Sequence, residues 1–306
     1  MSVKISSAVS LALSAAVISG LANFFNKVGI TVVSDAVLYT FIKNGLVAII
    51  FLAILVLSTR WREIKQLNKG DWVKLMAIGA IGGSLPFILF FTGLAMTSAV
   101  SASLIHKTLF IWVALLAMPF LGERLGKIQW AALGLLLFGN FFLGSWQQLT
   151  LGKGELLILA ATLLWAVENI IAKRALQNIS SLLVASARMV LGSALILLVV
   201  LVQGKAGLIS NLSYEQWSWA ILAAGLLFGY VICWYSALKS APASIVASLL
   251  VPASLVTSLL SLIFLDKSLT GAEIISSILV ILAIGIIIWS GRKFSRSASY
   301  AEAGNN

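Results

Sequence analysis

Five ionisable side chains fall deep inside otherwise apolar segments of this chain: Lys43, His106, Lys107, Glu168 and Arg188. A charge at the centre of a bilayer costs about 2.5–3.5 kcal/mol on insertion scales, so such residues ordinarily face a cavity or a partner. Three basic groups against one carboxyl favour an anionic guest: a carboxylate, a phosphate or the acidic end of a zwitterion. Lys43, Lys107 and Arg188 are therefore the candidate anion-binding residues, with Asn23 and Asn169 as polar contacts. Trp112, Trp165, Tyr230 and Trp234 are candidates for the apolar body of such a guest. The three tryptophans among them fall mid-segment, where interface anchoring does not explain them. His106, the only histidine, belongs to a residue type with a pKa of about 6.5 that suits proton coupling. Glu168 is the competing proton carrier.

Each of these residues has a packing alternative. Glu168 and Arg188 share a depth on consecutive segments, so an ion pair can hold those segments together. His106 and Lys107 lie about 100° apart on a helix and cannot share a face. Lys27 and Lys173, near segment ends, are expected to snorkel to the headgroups. Catalysis fits poorly, because the segment interiors hold one Glu, one His and no carboxylate pair. The sequence shows no metal-ligating cluster and no cofactor motif. A lone Cys233 excludes an intrachain disulfide and a cysteine-rich metal site. With no Gly-rich Walker loop, only secondary energisation fits.

The elements that must position these groups are membrane helices. The chain is 60% hydrophobic and 10% charged, against about 25% charged for a soluble domain. Apolar runs of about 20 residues suit a hydrocarbon core about 30 Å thick. Ten are expected, over 6–29, 36–57, 73–93, 99–121, 128–146, 155–176, 181–203, 217–238, 243–265 and 271–290. Lys4 before the first run resembles a signal peptide, but the run is long and nine more follow, which favours a retained helix. The net charge of +11 does not mark a nucleic-acid partner. Fourteen basic residues fall on the side of the N-terminus, four on the other and three inside spans. That imbalance predicts cytoplasmic termini and attraction to anionic lipid.

Trp61, Trp72, Trp130, Trp146, Trp217, Trp219 and Trp289 are expected at span ends as interface anchors. Loops are short, and the polar tail over 293–306 is expected to be disordered. Gly79 and Gly83, like Gly225 and Gly229, have the four-residue spacing that lets helices approach closely. Pro86 and Pro252 fall inside spans, where each removes a backbone donor. The carbonyls they free, on Gly82 and Ser248, lie four residues earlier.

The chain also repeats itself. Ala95–Ala102 (AMTSAVSA) returns as Ala237–Ser244 (ALKSAPAS), 142 residues on. Asn23 and Lys27 map onto Asn169 and Lys173, and Lys43 maps onto Arg188. Five spans per half is an odd number, so the second half, 149–292, must enter the bilayer opposite to the first, 1–148. Inverted repeats of this kind build one central site reachable from either side. The expected fold class is all-α and polytopic, ten transmembrane helices in two inverted five-helix repeats. The expected function is a small-solute carrier; a channel-like pore and, less well, a membrane enzyme are the alternatives.

Pro119-Phe120-Leu121-Gly122-Glu123-Arg124 precedes a helix with Gly134 and Gly139, and Ala241-Pro242-Ala243 and Val251-Pro252-Ala253-Ser254 stand in the second half. In these features and in its ten expected spans the chain resembles the EamA type of the drug/metabolite transporter superfamily. The resemblance implies a cytoplasmic-membrane carrier of small metabolites, often an exporter of amino acids or related compounds. The first half departs by carrying His106-Lys107, and Phe110 where the second half has Pro252. The second half has Asp266-Lys267-Ser268 in place of Gly122-Glu123-Arg124.

Overall fold

The computed structural model describes residues 2–142, 152–264 and 270–303, and among them every regular element is helical. Trp146, Asp266, Lys267 and Ser268 lie outside the described residues. In chain order the α-helices are α1 (Ser2–Val33), α2 (Ala36–Leu57), α3 (Lys69–Ile78), α4 (Leu85–Met96), α5 (Ala99–Lys107), α6 (Leu109–Leu121) and α7 (Lys127–Phe142). The second half holds α8 (Lys153–Ala175), α9 (Ser181–Val202), α10 (Tyr214–Ser240), α11 (Ala243–Ser248), α12 (Ala253–Phe264) and α13 (Gly271–Ala303). A π-helical turn, Gly79–Ser84, joins α3 to α4 into one span. The pairs α5–α6 and α11–α12 likewise make one span each.

Nine stretches among the described residues are long and apolar enough to cross a bilayer. The fifth expected span is carried by α7, which is apolar but shorter as far as it is described. The last helix, α13, runs from Gly271 to Ala303.

Polar residues before the apolar runs start the helices. Asp35 accepts from the amides of Val37 and Leu38 at the head of α2. Ser98, Ser180 and Ser213 cap α5, α9 and α10 in the same way. The core is largely apolar, as in a water-soluble protein, but much of the exterior is apolar too and several ionisable groups lie inside. Leu57 and Val202 are 83% and 88% exposed, whereas Lys43, Glu168 and Arg188 are 1%, 1% and 3% exposed. Apolar side chains facing out and ionisable ones facing in suit lipid as the solvent.

The halves interlock: α1 packs along α10, α2 along α9, α4 along α8 and α7 along α13. Of the glycine-mediated approaches, the tightest is between the π-turn and α9. A Cβ on Gly83 would sit 2.0 Å from the Arg188 carbonyl oxygen, and one on Gly192 would sit 2.4 Å from the Gly83 backbone. Only glycine fits at this crossing. The repeat mate Gly225 has open space around it, so the paired glycine spacing serves the two halves unequally.

Lys27 and Lys173 do not snorkel. Lys27 Nζ donates to the carbonyls of Leu94 (2.7 Å) and Thr97 (2.8 Å) at the end of α4. Lys173 Nζ donates to those of Leu238 (2.6 Å) and Ala241 (2.7 Å) at the end of α10. A cation at a helix C-terminus meets both the dipole and the unpaired carbonyls.

Two spans are broken rather than kinked. Thr108 separates α5 from α6, and 249–252 separate α11 from α12. The Ser248 carbonyl that Pro252 leaves free accepts the Val251 amide at 3.2 Å inside this turn. Gly122, at φ +67°, ends α6 in the left-handed region that glycine tolerates. Glu123 then reaches across to the start of α11, accepting from the amides of Ala243 (2.6 Å) and Ser244 (3.1 Å) and from the Ser244 hydroxyl. The expected Phe-Leu-Gly-Glu pattern thus ties the first half to the second.

Candidate functional site

A partly open cavity of about 70 Å³ sits between the halves, room for a few waters or part of a small solute. From the first half, α1 contributes Asn23 and Asn26, α2 Lys43, α4 Phe87, Phe90 and Phe91, and α5 His106. From the second, α8 contributes Trp165, Glu168 and Asn169, α9 Arg188, and α10 Tyr230 and Trp234. Nine of the eleven site residues expected from sequence therefore meet in one place. Lys107 and Trp112 do not line it. Lys107 is buried elsewhere, its Nζ 2.5 Å from Ser103 Oγ, and Trp112 Nε1 donates to Thr108 Oγ1 at 3.1 Å. The 100° between helical neighbours turns His106 into the cavity and Lys107 out of it.

The expected Glu168–Arg188 ion pair is not formed, whereas Arg60–Glu63, Lys74–Asp71 and Lys205–Asp35 do pair. Glu168 Oε1 instead accepts from the Tyr235 hydroxyl. Arg188 Nη2 donates to the Gly82 carbonyl at 3.2 Å, and its guanidinium lies 5.4 Å from the Phe87 ring and 5.6 Å from the Tyr235 ring. That leaves Glu168 Oε2, Arg188 Nε and His106 Nδ1 buried without hydrogen-bond partners. Buried polar groups are ordinarily paired, so three orphans at one cavity mark a place prepared for something polar.

Aromatic rings build much of the wall. Lys43 Nζ lies 3.5 Å from the Phe91 ring centroid. Trp165 packs against His106 at 4.9 Å and Phe90 at 5.5 Å, and Tyr230 stacks on Trp234 at 5.7 Å. Asn169 is held by both of its ends: Nδ2 donates to the Trp165 carbonyl at 2.8 Å and Oδ1 accepts from Trp234 Nε1 at 3.0 Å. Sequence reasoning missed the α4 phenylalanines and Tyr235. Their only signals were position, beside Pro86 for the former and beside Trp234 for the latter. Among the described residues no group of three His, Cys, Asp or Glu side chains can hold a metal ion.

Helices that interlock across two halves around a charged, aromatic-walled cavity are matched by a family pattern. It is that of the EamA-like transporter family, and it fits residues 6–145 and again 152–289. The chain belongs to this family. An uncharacterized transporter of Methanothermobacter thermautotrophicus is 23% identical over 234 residues, covering 74% of this chain and 67% of that protein. The uncharacterized transporter YyaM of Bacillus subtilis is 27% identical over 257 residues, covering 81% and 82%. One crystal structure superposes with a TM-score of 0.73 at 18% identity, covering 94% of this chain and 99% of its own. At that identity the likeness is one of fold. As an EamA-like transporter the chain is a multi-pass membrane protein.

Proposed function

We propose that this EamA-like transporter is a secondary carrier that exports small anionic or zwitterionic metabolites across the cell membrane by alternating access. The observation that carries the reading is the cavity. It draws Lys43 and Arg188 together with a single carboxylate, Glu168, from both halves of the chain, and leaves Arg188 Nε and Glu168 Oε2 unpaired. A carboxylate or phosphate satisfies the cations, and an ammonium satisfies Glu168. Asn23 and Asn169 supply polar contacts, while Trp165, Tyr230 and Trp234 flank the apolar body. His106 or Glu168 carries any coupled proton.

Two inverted five-helix repeats, 1–148 and 149–292, are supported by the matching lysine ties at the ends of α4 and α10. They are supported too by the placement of Lys43 and Arg188 on α2 and α9. Cytoplasmic termini follow from the basic imbalance. Export is the direction common among the carriers the sequence resembles.

Counterflow in proteoliposomes tests this, with a panel of amino acids, organic acids, nucleosides and phosphate esters. The expected result is saturable exchange of one anionic or zwitterionic class, lost in Arg188→Ala and kept in Lys107→Ala, since Lys107 stands outside the cavity. Exchange that survives Arg188→Ala places the anion site elsewhere.

A further inference from the structure

Trp165, Glu168 and Arg188 converge not on another side chain but on one piece of backbone. Pro86 has no N–H, so the Gly82 carbonyl four residues earlier has no α-helical donor. That oxygen accepts Trp165 Nε1 at 3.0 Å and Arg188 Nη2 at 3.2 Å instead. The π-turn Gly79–Ser84 brings it there, and π-turns inside helices recur at functional sites. Glycine at this position also leaves room for Glu168, because a Cβ on Gly82 would lie 2.4 Å from Glu168 Cγ and displace that side chain.

A guanidinium is a planar fork of five N–H donors. Holding one edge fixes where the others point. Here Nη2 is held, Cζ lies 5.4 Å from the Phe87 ring and 5.6 Å from the Tyr235 ring, and Nε is buried without a partner in a residue that lines the cavity.

We propose that Gly82 is a positioning residue whose carbonyl, released by Pro86, holds Arg188 by one edge so that its free N–H groups face an anionic guest already aimed. The inference rests on the cavity being the guest's site. The contact itself can nevertheless be measured without transport.

Gly82–Gly83 is the only Gly-Gly pair in the chain. Full-length protein labelled with carbonyl-¹³C, ¹⁵N-glycine therefore gives one directly bonded carbonyl–nitrogen correlation, and it reports the Gly82 carbonyl. Arg188→Met should move that signal upfield, the direction of a lost hydrogen bond, as should Trp165→Phe. Arg188→Lys, which keeps a donor, should stay nearer the wild type. In a Pro86→Ala background the new amide can take the carbonyl, and Arg188→Met should then leave the signal in place. Pro86→Ala alone should raise the counterflow KM about tenfold, the scale of one hydrogen bond to a charged group, with a smaller change in maximum rate. A signal that ignores Arg188→Met overturns the proposal, and so does Pro86→Ala with an unchanged KM. Failure to exchange any solute would count against the carrier reading, while the carbonyl signal would still decide whether Gly82 holds Arg188.

Discussion

Lys43 enters the cavity with its Nζ 3.5 Å from the Phe91 ring and 5.3 Å and 5.5 Å from those of Phe87 and Tyr39. Cation–π contacts are worth about 0.5–2 kcal/mol, less than the roughly 2.5–3.5 kcal/mol that a central charge costs. A residue retained for stability alone would be better replaced by an apolar one. Lys43→Met should therefore hold or raise stability in detergent, by up to about 2 kcal/mol, while abolishing counterflow of an anionic solute. A variant that loses both stability and transport would make Lys43 structural. Asp35, in the turn between α1 and α2, is the contrasting case. Burial works against its ionisation, but the Leu38 amide, Lys205 and the Val37 amide outweigh burial and hold its carboxyl below its ordinary range. A depressed carboxyl stabilises the fold above its unfolded pKa, about 3.9, and the contribution disappears as pH falls through the folded value. The protection of the Val37 and Leu38 amides against hydrogen exchange, relative to their intrinsic rates, should therefore fall on acidification below about pH 4, and Asp35→Asn should flatten that dependence.

Between elements, the decisive contact is the crossing of the π-turn with α9. The glycine spacing of Gly79 and Gly83 was legible in the sequence as a packing surface; its partner was not, because the same spacing recurs at Gly225 and Gly229. The difference lies in what faces each glycine: backbone at Gly83, open space at Gly225. Gly83→Ala should cost about 1–3 kcal/mol or more, the scale of overpacking against atoms that cannot yield. Gly225→Ala should be neutral or slightly stabilising, since alanine is the better helix former. Thermal unfolding of the two variants in one detergent checks the contrast. Equal losses would mean that both halves pack through their glycines. Pro86 was similarly half-legible. The chemistry of a missing N–H pointed to the Gly82 carbonyl, but no sequence rule said that Trp165 and Arg188 would claim it.

At the scale of the whole molecule, the apolar runs announced a polytopic bundle, since lipid leaves a helix little alternative. The ionisable residues inside them announced the cavity for the same reason of cost. What stayed hidden was which face of each helix turned inward: His106 and Lys107 are equal in sequence, and only packing separates them. Hidden too was the fate of Glu168: Arg188 is held by a carbonyl, and Glu168 Oε1 went to Tyr235. Asn23 on α1 and Asn169 on α8 occupy matching places in the two halves and line the same cavity, so each should become accessible from its own side as the halves exchange roles. In a Cys233→Ser background, which removes the only native thiol, Asn23→Cys and Asn169→Cys can be challenged with a membrane-impermeant thiol reagent from either face. Alternating access predicts labelling that a transported solute redistributes between faces, with no state open to both. A channel would label both positions from one face at once, and a pocket fixed in one orientation would never label from the other.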